Sequence, residues 1–256
     1  MSSKYALILV RAGSTRLPEK CLLPFGNGNV LEHVCRRTEH FGFTPIICTT
    51  SDHTDNPIAG LGEQNGWQTF RGDIEDKIRR LRDACDQYGV QKFITIDADD
   101  PFFDGDANMG SLERLINSNL DMIKPPKEYY CGSMGFALSY EVLDRAVKER
   151  NTSNSEMMWV LIESLNGVKH ETFSAPITGM TKIRLTLDYL EDYHILCFIL
   201  RELGPYVAPE HIKKFFNQNP DLFFDQIMRY HSVLGNHSSN FCLINLWWLC
   251  SLSMLL

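Results

Sequence analysis

Arg11, Arg16 and Lys20 fall within ten residues, RAGSTRLPEK, directly after the apolar run Tyr5 to Val10. Gly13 in the same stretch allows close approach to the backbone, and Ser14 and Thr15 add hydroxyls. Successive loop amides, here from Ala12 to Thr15, can close around an anion; arginine grips phosphate oxygens with a planar fork, and lysine adds a point charge. Together they suit a triphosphate. A solvated basic turn would use the same residue types. A loop at the carboxyl end of a first strand is, however, where open α/β sheets bind ligands. The stretch is not a Walker A loop, since Glu19 precedes Lys20 and Cys21 follows it, and it is not GxGxxG. Acids gather in two other places: DADDPFFD, Asp97 to Asp104, and RLTLDYLEDY, Arg184 to Tyr193.

The elements that must position these residues alternate. YALILV, PIICT (Pro45–Thr49), Trp67–Phe70 and KFITI (Lys92–Ile96) read as short strands. Between them, Val30–Phe41, Ile58–Asn65 and Ile74–Tyr88 carry helical spacing, the last two stopped by Gly66 and Gly89. That β-α-β-α-β-α-β order predicts an α/β fold with a mostly parallel sheet flanked by helices. The second half is less regular. Met109–Asn117, Tyr140–Glu149, Glu156–Leu165 and Leu190–Leu203 read as helices; Asp121–Lys124, Gly132–Ser139, Lys169–Phe173 and Lys182–Leu187 read as strands. There is no repeat and no low-complexity linker, so one domain is expected over residues 1–230, followed by a tail, 231–256.

The chain has 256 residues, 44% of them apolar, and a net charge of −7. That acidity argues against general nucleic-acid binding, which needs a basic footprint. Any phosphate site must be local. Eight cysteines occur with no C-x-x-C pair, which argues against a zinc ribbon and fits free thiols in a reducing cytoplasm. The six-residue apolar run after Lys4 is too short for a signal peptide. Phe241 to Leu256, FCLINLWWLCSLSMLL, carries no charge but is shorter than the ~20 residues of a spanning helix. It could dock on the domain or a subunit partner, be a non-native tail, or touch a membrane surface; no catalytic role or stable membrane insertion is expected of it.

The stretch VRAGSTRLPEKCLLPF resembles the opening signature of the cytidylyltransferases that activate sugar acids: the acylneuraminate and 3-deoxy-manno-octulosonate enzymes and their spore-coat-polysaccharide relatives. Arg11, Gly13, Ser14, Arg16, Leu17, Pro18 and Lys20 match the pattern A/V-R-x-G-S-x-R-L-P-G-K-x-L, with Glu19 in place of its glycine. Thr50-Ser51-Asp52 resembles the family's T-S-D turn, Phe70 to Asp76 its F-R-G-x-x-x-D, DADDPFFD its G-D-C-P-x-x-D, and RLTLDYLED its R-L-T-V-D-x-x-E-D. The resemblance covers residues 4 to 203. It implies a nucleotide-diphospho-sugar transferase architecture, GT-A-like and Rossmann-like, often dimeric.

It also implies a reaction in which CTP and a sugar acid give a CMP-sugar and pyrophosphate. Arg16 and Lys20 would carry catalysis; Arg11, Ala12, Gly13, Ser14 and Thr15 would hold the nucleotide, with Ser51, Asp52 and Arg71 near base and ribose. Asp99 and Asp188 would bind Mg2+, which takes one or two carboxylates alongside phosphate oxygens and water. Each acid has a plainer use: Asp99 in an Asx-type turn before Pro101, Asp188 as a helix N-cap. Asp97 and Asp100 are additional acids beside the site, and Arg184 could pair with one of them or with a structural partner. The segments GSMGF and Ser155–Trp159 lack the family's glycine-aspartate and E-H-V-T patterns, so they do not name the acceptor. A sugar or polyol phosphate acceptor, or a non-catalytic nucleotide-binding relative, remain as alternatives.

Overall fold

Alternation inside the first apolar run decides the layering. In β1 (Tyr5–Leu9), Ala6 and Ile8 face one side, with Val10 just beyond the strand, and Leu7 and Leu9 face the other. The computed structural model describes residues 3–150, 155 and 158–222. β1 is followed by α1 (Val30–His40), β2 (Thr44–Thr50), α2 (Asn56–Asn65), β3 (Gln68–Gly72), α3 (Lys77–Tyr88) and β4 (Lys92–Asp97). Then come α4 (Gly105–Ile116), β5 (Met122–Lys124), β6 (Ala137–Ser139), α5 (Tyr140–Glu149), α6 (Met158–Glu163), β7 (His170–Thr172), α7 (Leu190–Leu203) and α8 (Pro209–Gln218).

The seven strands lie in the order β3-β2-β1-β4-β6-β5-β7. β1 to β4 are mutually parallel, and β6 runs antiparallel to both β4 and β5. Helices α1, α2 and α4 cover one face and α3, α5 and α6 the other, so each face buries its own apolar cluster. This is the expected α/β fold. The chain moves outward from β1 through β2 to β3, then returns to lay β4 on the other side of β1. The reversal opens a crevice beyond the carboxyl ends of β1 and β4, the place where such sheets bind ligands. Leu9 is registered with both Cys48 and Asp97, so the loops after β1, β2 and β4 leave from one edge.

A third cluster sits beyond that edge. Phe25, Phe102, Tyr129, Tyr130 and Ile183 to Leu187 pack there with α7 and α8. It depends on two buried polar side chains of α1. Arg37, fully buried, donates to the carbonyls of Phe103 (2.9 Å), Pro205 (2.7 Å) and Val207 (3.1 Å) and lies over the ring of Phe41. His33 bonds the carbonyl of Pro101 at 2.8 Å and meets Phe25 and Phe102 edge-on. The acidic loop after β4 is therefore tied to α1 at two consecutive turns.

Several second-half elements differ from the sequence expectation. α4 starts at Gly105, not Met109, because Asp104 accepts the Ala107 amide and caps it. Only Ala137–Ser139 of the 132–139 segment is a strand. Gly132 turns at φ +83°, and Gly135 packs so tightly on the Thr95 carbonyl that no Cβ fits. Residues 182–187 do alternate, but they form no strand; they bond to loop backbone at Cys131 and Asp99. α8 was not expected. It starts with Pro209 at its first position, which suits the fixed φ of proline. The tail 231–256, Glu156, Met157 and the domain end at 230 lie outside the described residues.

Burial pushes the His33 imidazole down to about 4, against an ordinary value of 6.5. The unfolded chain therefore binds more protons than the folded one between those values. Stability is full above pH 6.5 and falls as pH drops toward 4, by about 3 kcal/mol for this group. Urea titrations from pH 7 to 4 should show that slope, and His33→Phe should flatten its share of it.

Candidate active site

The first loop, the acidic loop and the segment before α7 meet at the ammonium of Lys20. A 3-10 turn over Lys20–Leu22 drops this side chain into the crevice, where the residue is only 8% exposed. Its Nζ donates to Asp99 Oδ2, to Asp188 Oδ1 at 3.0 Å and to the Leu187 carbonyl at 2.8 Å. Three acceptors use all three ammonium donors. Burial works against the charged amine, but Asp99 and Asp188 outweigh it and hold its pKa above the ordinary lysine value.

Asp188 reaches this point without a strand beneath it. Residues 183–187 are laid over the loops by Leu185 N–H to Cys131 O (2.9 Å) and Leu187 N–H to Asp99 O (2.7 Å). Nor is Asp188 the helix cap. Tyr189 holds that position, and Asp192 closes the turn by accepting the amides of Asp188 and Tyr189, both at 2.9 Å. Arg184 holds Asp188 Oδ2 and also pairs with Asp192 at 3.0 Å. Asp188 Oδ1 is thereby turned toward Lys20 and toward Arg16, whose Nη2 lies at 2.6 Å. Burial raises the Asp188 carboxyl, yet Lys20, Arg184 and Arg16 together bring it below the usual carboxylate range.

Asp97, Asp99 and Asp100 bring carboxylate oxygens within 4.8 Å of one another beside this point. Asp100 Oδ1 is shut off from solvent and has no hydrogen-bond partner. Burial, then Asp99 and Asp97, push its carboxyl well above the ordinary value. An oxygen-only donor set with an unsatisfied buried oxygen suits a hard divalent cation such as Mg2+.

The remaining loop residues are arranged around the ion cluster. Arg11, Gly13, Thr15 and Arg16 are exposed on the crevice edge and Ser14 is half-buried. Arg16 also lies over the ring of Tyr189, 5.6 Å from its centroid. The Ala12 amide donates to Asp55 and that of Ser14 to the Ala12 carbonyl, so neither points outward. Glu19 is the only residue other than glycine with positive φ, 52°, among the described residues. On the neighbouring loop, Ser51 is exposed and Asp52 caps a short turn by accepting the Thr54 amide. Arg71 is turned to that loop's backbone, donating to the carbonyls of Thr50 (3.0 Å) and Asp52 (2.6 Å).

A family model described as cytidylyltransferase matches residues 5–160. The chain belongs to the cytidylyltransferase family. Spore coat polysaccharide biosynthesis protein SpsF of Bacillus subtilis (strain 168) is 25% identical over 236 residues, covering 84% of this chain and 94% of SpsF. Protein MJ1063 of Methanocaldococcus jannaschii is 25% identical over 222 residues, covering 84% and 91%. A cytidylyltransferase structure from Leptospira borgpetersenii superposes with a TM-score of 0.79 at 23% identity, over 87% of this chain and 97% of that one. The CMP:2-keto-3-deoxy-manno-octonic acid synthetase complexed with CTP gives 0.62 at 15%, over 78% and 99%. These two likenesses show the shared fold. The protein is thus a nucleotidyltransferase enzyme, and no helix among its described residues is long and apolar enough to cross a membrane.

The cytidylyltransferase pattern has glycine where this chain has Glu19. A left-handed backbone costs a residue with a Cβ about 1–2 kcal/mol, partly offset by glycine's greater entropy when unfolded. Glu19→Gly should therefore raise unfolding stability by about 0.5–1 kcal/mol in urea.

Proposed function

We propose that the protein transfers CMP from CTP to a hydroxyl of a sugar acid and releases pyrophosphate, in the biosynthesis of a surface polysaccharide or glycoconjugate. The observation that carries this reading is the meeting of Arg16, Lys20, Asp99 and Asp188 at the switch point of a cytidylyltransferase fold. The sugar-acid acceptor is supported by the name of the synthetase complexed with CTP, and the polysaccharide setting by the name of SpsF. A cytoplasmic homodimer belongs to the same reading.

The acceptor hydroxyl attacks the α-phosphorus; the new O–P bond forms as the bond from that phosphorus to the α,β-bridging oxygen breaks, pyrophosphate leaves with the bridging oxygen, and the hydroxyl proton passes to solvent. Such a transfer depends mostly on positioning and on charges placed beforehand. Arg16, at the rim, grips the β- and γ-phosphates together with the exposed loop residues Gly13 and Thr15. Lys20 meets the negative charge that grows on the α-phosphate and leaving oxygens. Asp99 and Asp188 would hold Mg2+, which supplies charge neutralisation at the phosphates when bound. Arg184 and Asp192 keep Asp188 Oδ1 facing that place. Arg11, exposed on the same loop, serves the base or the phosphates, and Ser51 and Asp52 the base and ribose.

The test is to incubate the protein with Mg2+, each of CTP, UTP, ATP and GTP, and a panel of sugar acids and sugar or polyol phosphates. Pyrophosphate release should need CTP and a sugar acid, and the product mass should equal the acid joined to CMP. Lys20→Ala should lower kcat by about 10²–10³-fold. Transfer only to a phosphorylated acceptor would replace the sugar-acid reading. No transfer from any nucleotide by the folded protein would overturn it.

A further inference from the structure

Asp55 is the most completely engaged carboxylate near the site, and no cation supplies its hydrogen bonds. It is 1% exposed. Oδ1 accepts the Ala12 amide at 2.7 Å. Oδ2 accepts the Thr50 amide at 3.0 Å, the Thr49 hydroxyl at 3.0 Å and the Thr50 hydroxyl. One oxygen is thus given to the first loop and the other to the end of β2. Burying a carboxylate among neutral donors is costly, and it persists where its geometry is needed.

The need is visible in the strand ladder. β1 and β2 stay registered through Leu9 and Cys48, and the last bond between them is Val10 N–H to Cys48 O at 3.3 Å. Past it the ladder ends, and the carboxylate of Asp55 takes over as the bridge between Ala12 and Thr50. The β2 side is rigid by other means. Ser51 N–H bonds Gly72 O at 2.8 Å, and Arg71 braces Thr50 O, Asp52 O and Asn56 Oδ1 from outside. At Ala12 the first loop is held to that wall through Asp55, while its far end is held by Arg16 and Lys20 on Asp188 and Asp99.

We propose that Asp55 is a positioning residue that sets the width of the slot between Ala12–Gly13 and Thr50–Asp52, and that this width admits a pyrimidine ring and rejects a purine. The inference rests on the CTP reading above. It assigns base-size selection to a residue that touches no ligand: Asp55 acts through the two backbone segments it joins. The imbalance of its partners says which side yields. Three donors hold Oδ2 and one holds Oδ1, so in Asp55→Asn the remaining oxygen stays with Thr49 and Thr50. The new NH2 then faces the Ala12 N–H, donor against donor, and the first loop is released.

The experiment is calorimetric titration of Mg–CTP and Mg–ATP into wild type, Asp55→Asn and Leu143→Ala, well below each unfolding midpoint. Leu143 is a fully buried core residue of α5 and serves as a destabilised control away from the site. Asp55→Asn should weaken CTP about tenfold or more and weaken ATP much less, so that the CTP:ATP affinity ratio falls about tenfold; Leu143→Ala should leave the ratio unchanged. Should Asp55→Asn fail to fold, Arg71→Met loosens the other wall through an exposed side chain and should lower the same ratio. Amide exchange at Ala12 in nucleotide-free protein reads the bridge alone and should speed up at least tenfold in Asp55→Asn. An unchanged ratio beside faster exchange would overturn the selection role while leaving the CTP reading intact. A wild type that prefers ATP would overturn that reading and the inference with it.

Discussion

A buried ammonium between two carboxylates is the constraint on which the active end of this protein depends. Lys20, Asp99 and Asp188 come from three segments separated by 79 and 168 positions from the lysine. Each charge would be expensive in the crevice alone, and removing one partner of such a group leaves the others uncompensated. The loops can therefore take few arrangements other than the one that brings these three side chains together. Arg16 and Arg184 also hold Asp188, and Arg184 pairs with Asp192, so the ion-pair network is assembled before any nucleotide enters.

The fold serves this meeting at two levels. The sheet reverses direction between β1 and β4, which opens the crevice and sends the basic and acidic loops from adjacent strands. The third apolar cluster then carries residues 183–188 across the opening, where no strand could deliver Asp188. Arg37 and His33 tie the two levels together, because both bond carbonyls of the acidic loop from inside α1. Arg37 also bonds the chain between α7 and α8, so one guanidinium spans the sheet's helical layer and the cap above the site.

The first hundred residues were legible because each element announces itself locally. Continuous apolar runs mark strands buried on both faces, and Gly66 and Gly89 end α2 and α3 in the left-handed conformation that glycine takes easily. The second half was harder because its strands are three residues long and its alternation serves two purposes. Ile183, Leu185 and Leu187 alternate as a strand would, but they face a cap cluster instead of a sheet. Among site residues, Arg16 and Lys20 stood out by charge and spacing and Asp99 and Asp188 by the family resemblance, and the structure brings the four together. Asp55 and Asp192 did not, because accepting backbone amides needs no distinctive sequence pattern. The only local hint for Asp55 was its place just before Asn56-Pro57, where a helix begins. Arg71 looked like a ligand group, yet its donors serve the turn beside it.

The most direct test of the account is the Mn2+ affinity of the CTP-loaded protein, read by electron paramagnetic resonance, in wild type, Asp99→Asn, Asp188→Asn and the surface control Asp83→Asn. The account predicts one saturable binding event in the wild type, unchanged in the control, and weakened at least tenfold by each of the other two substitutions. Equal Mn2+ affinity in all four proteins would contradict it, because the two carboxylates that meet at Lys20 would then not form the place where cation and nucleotide phosphate come together.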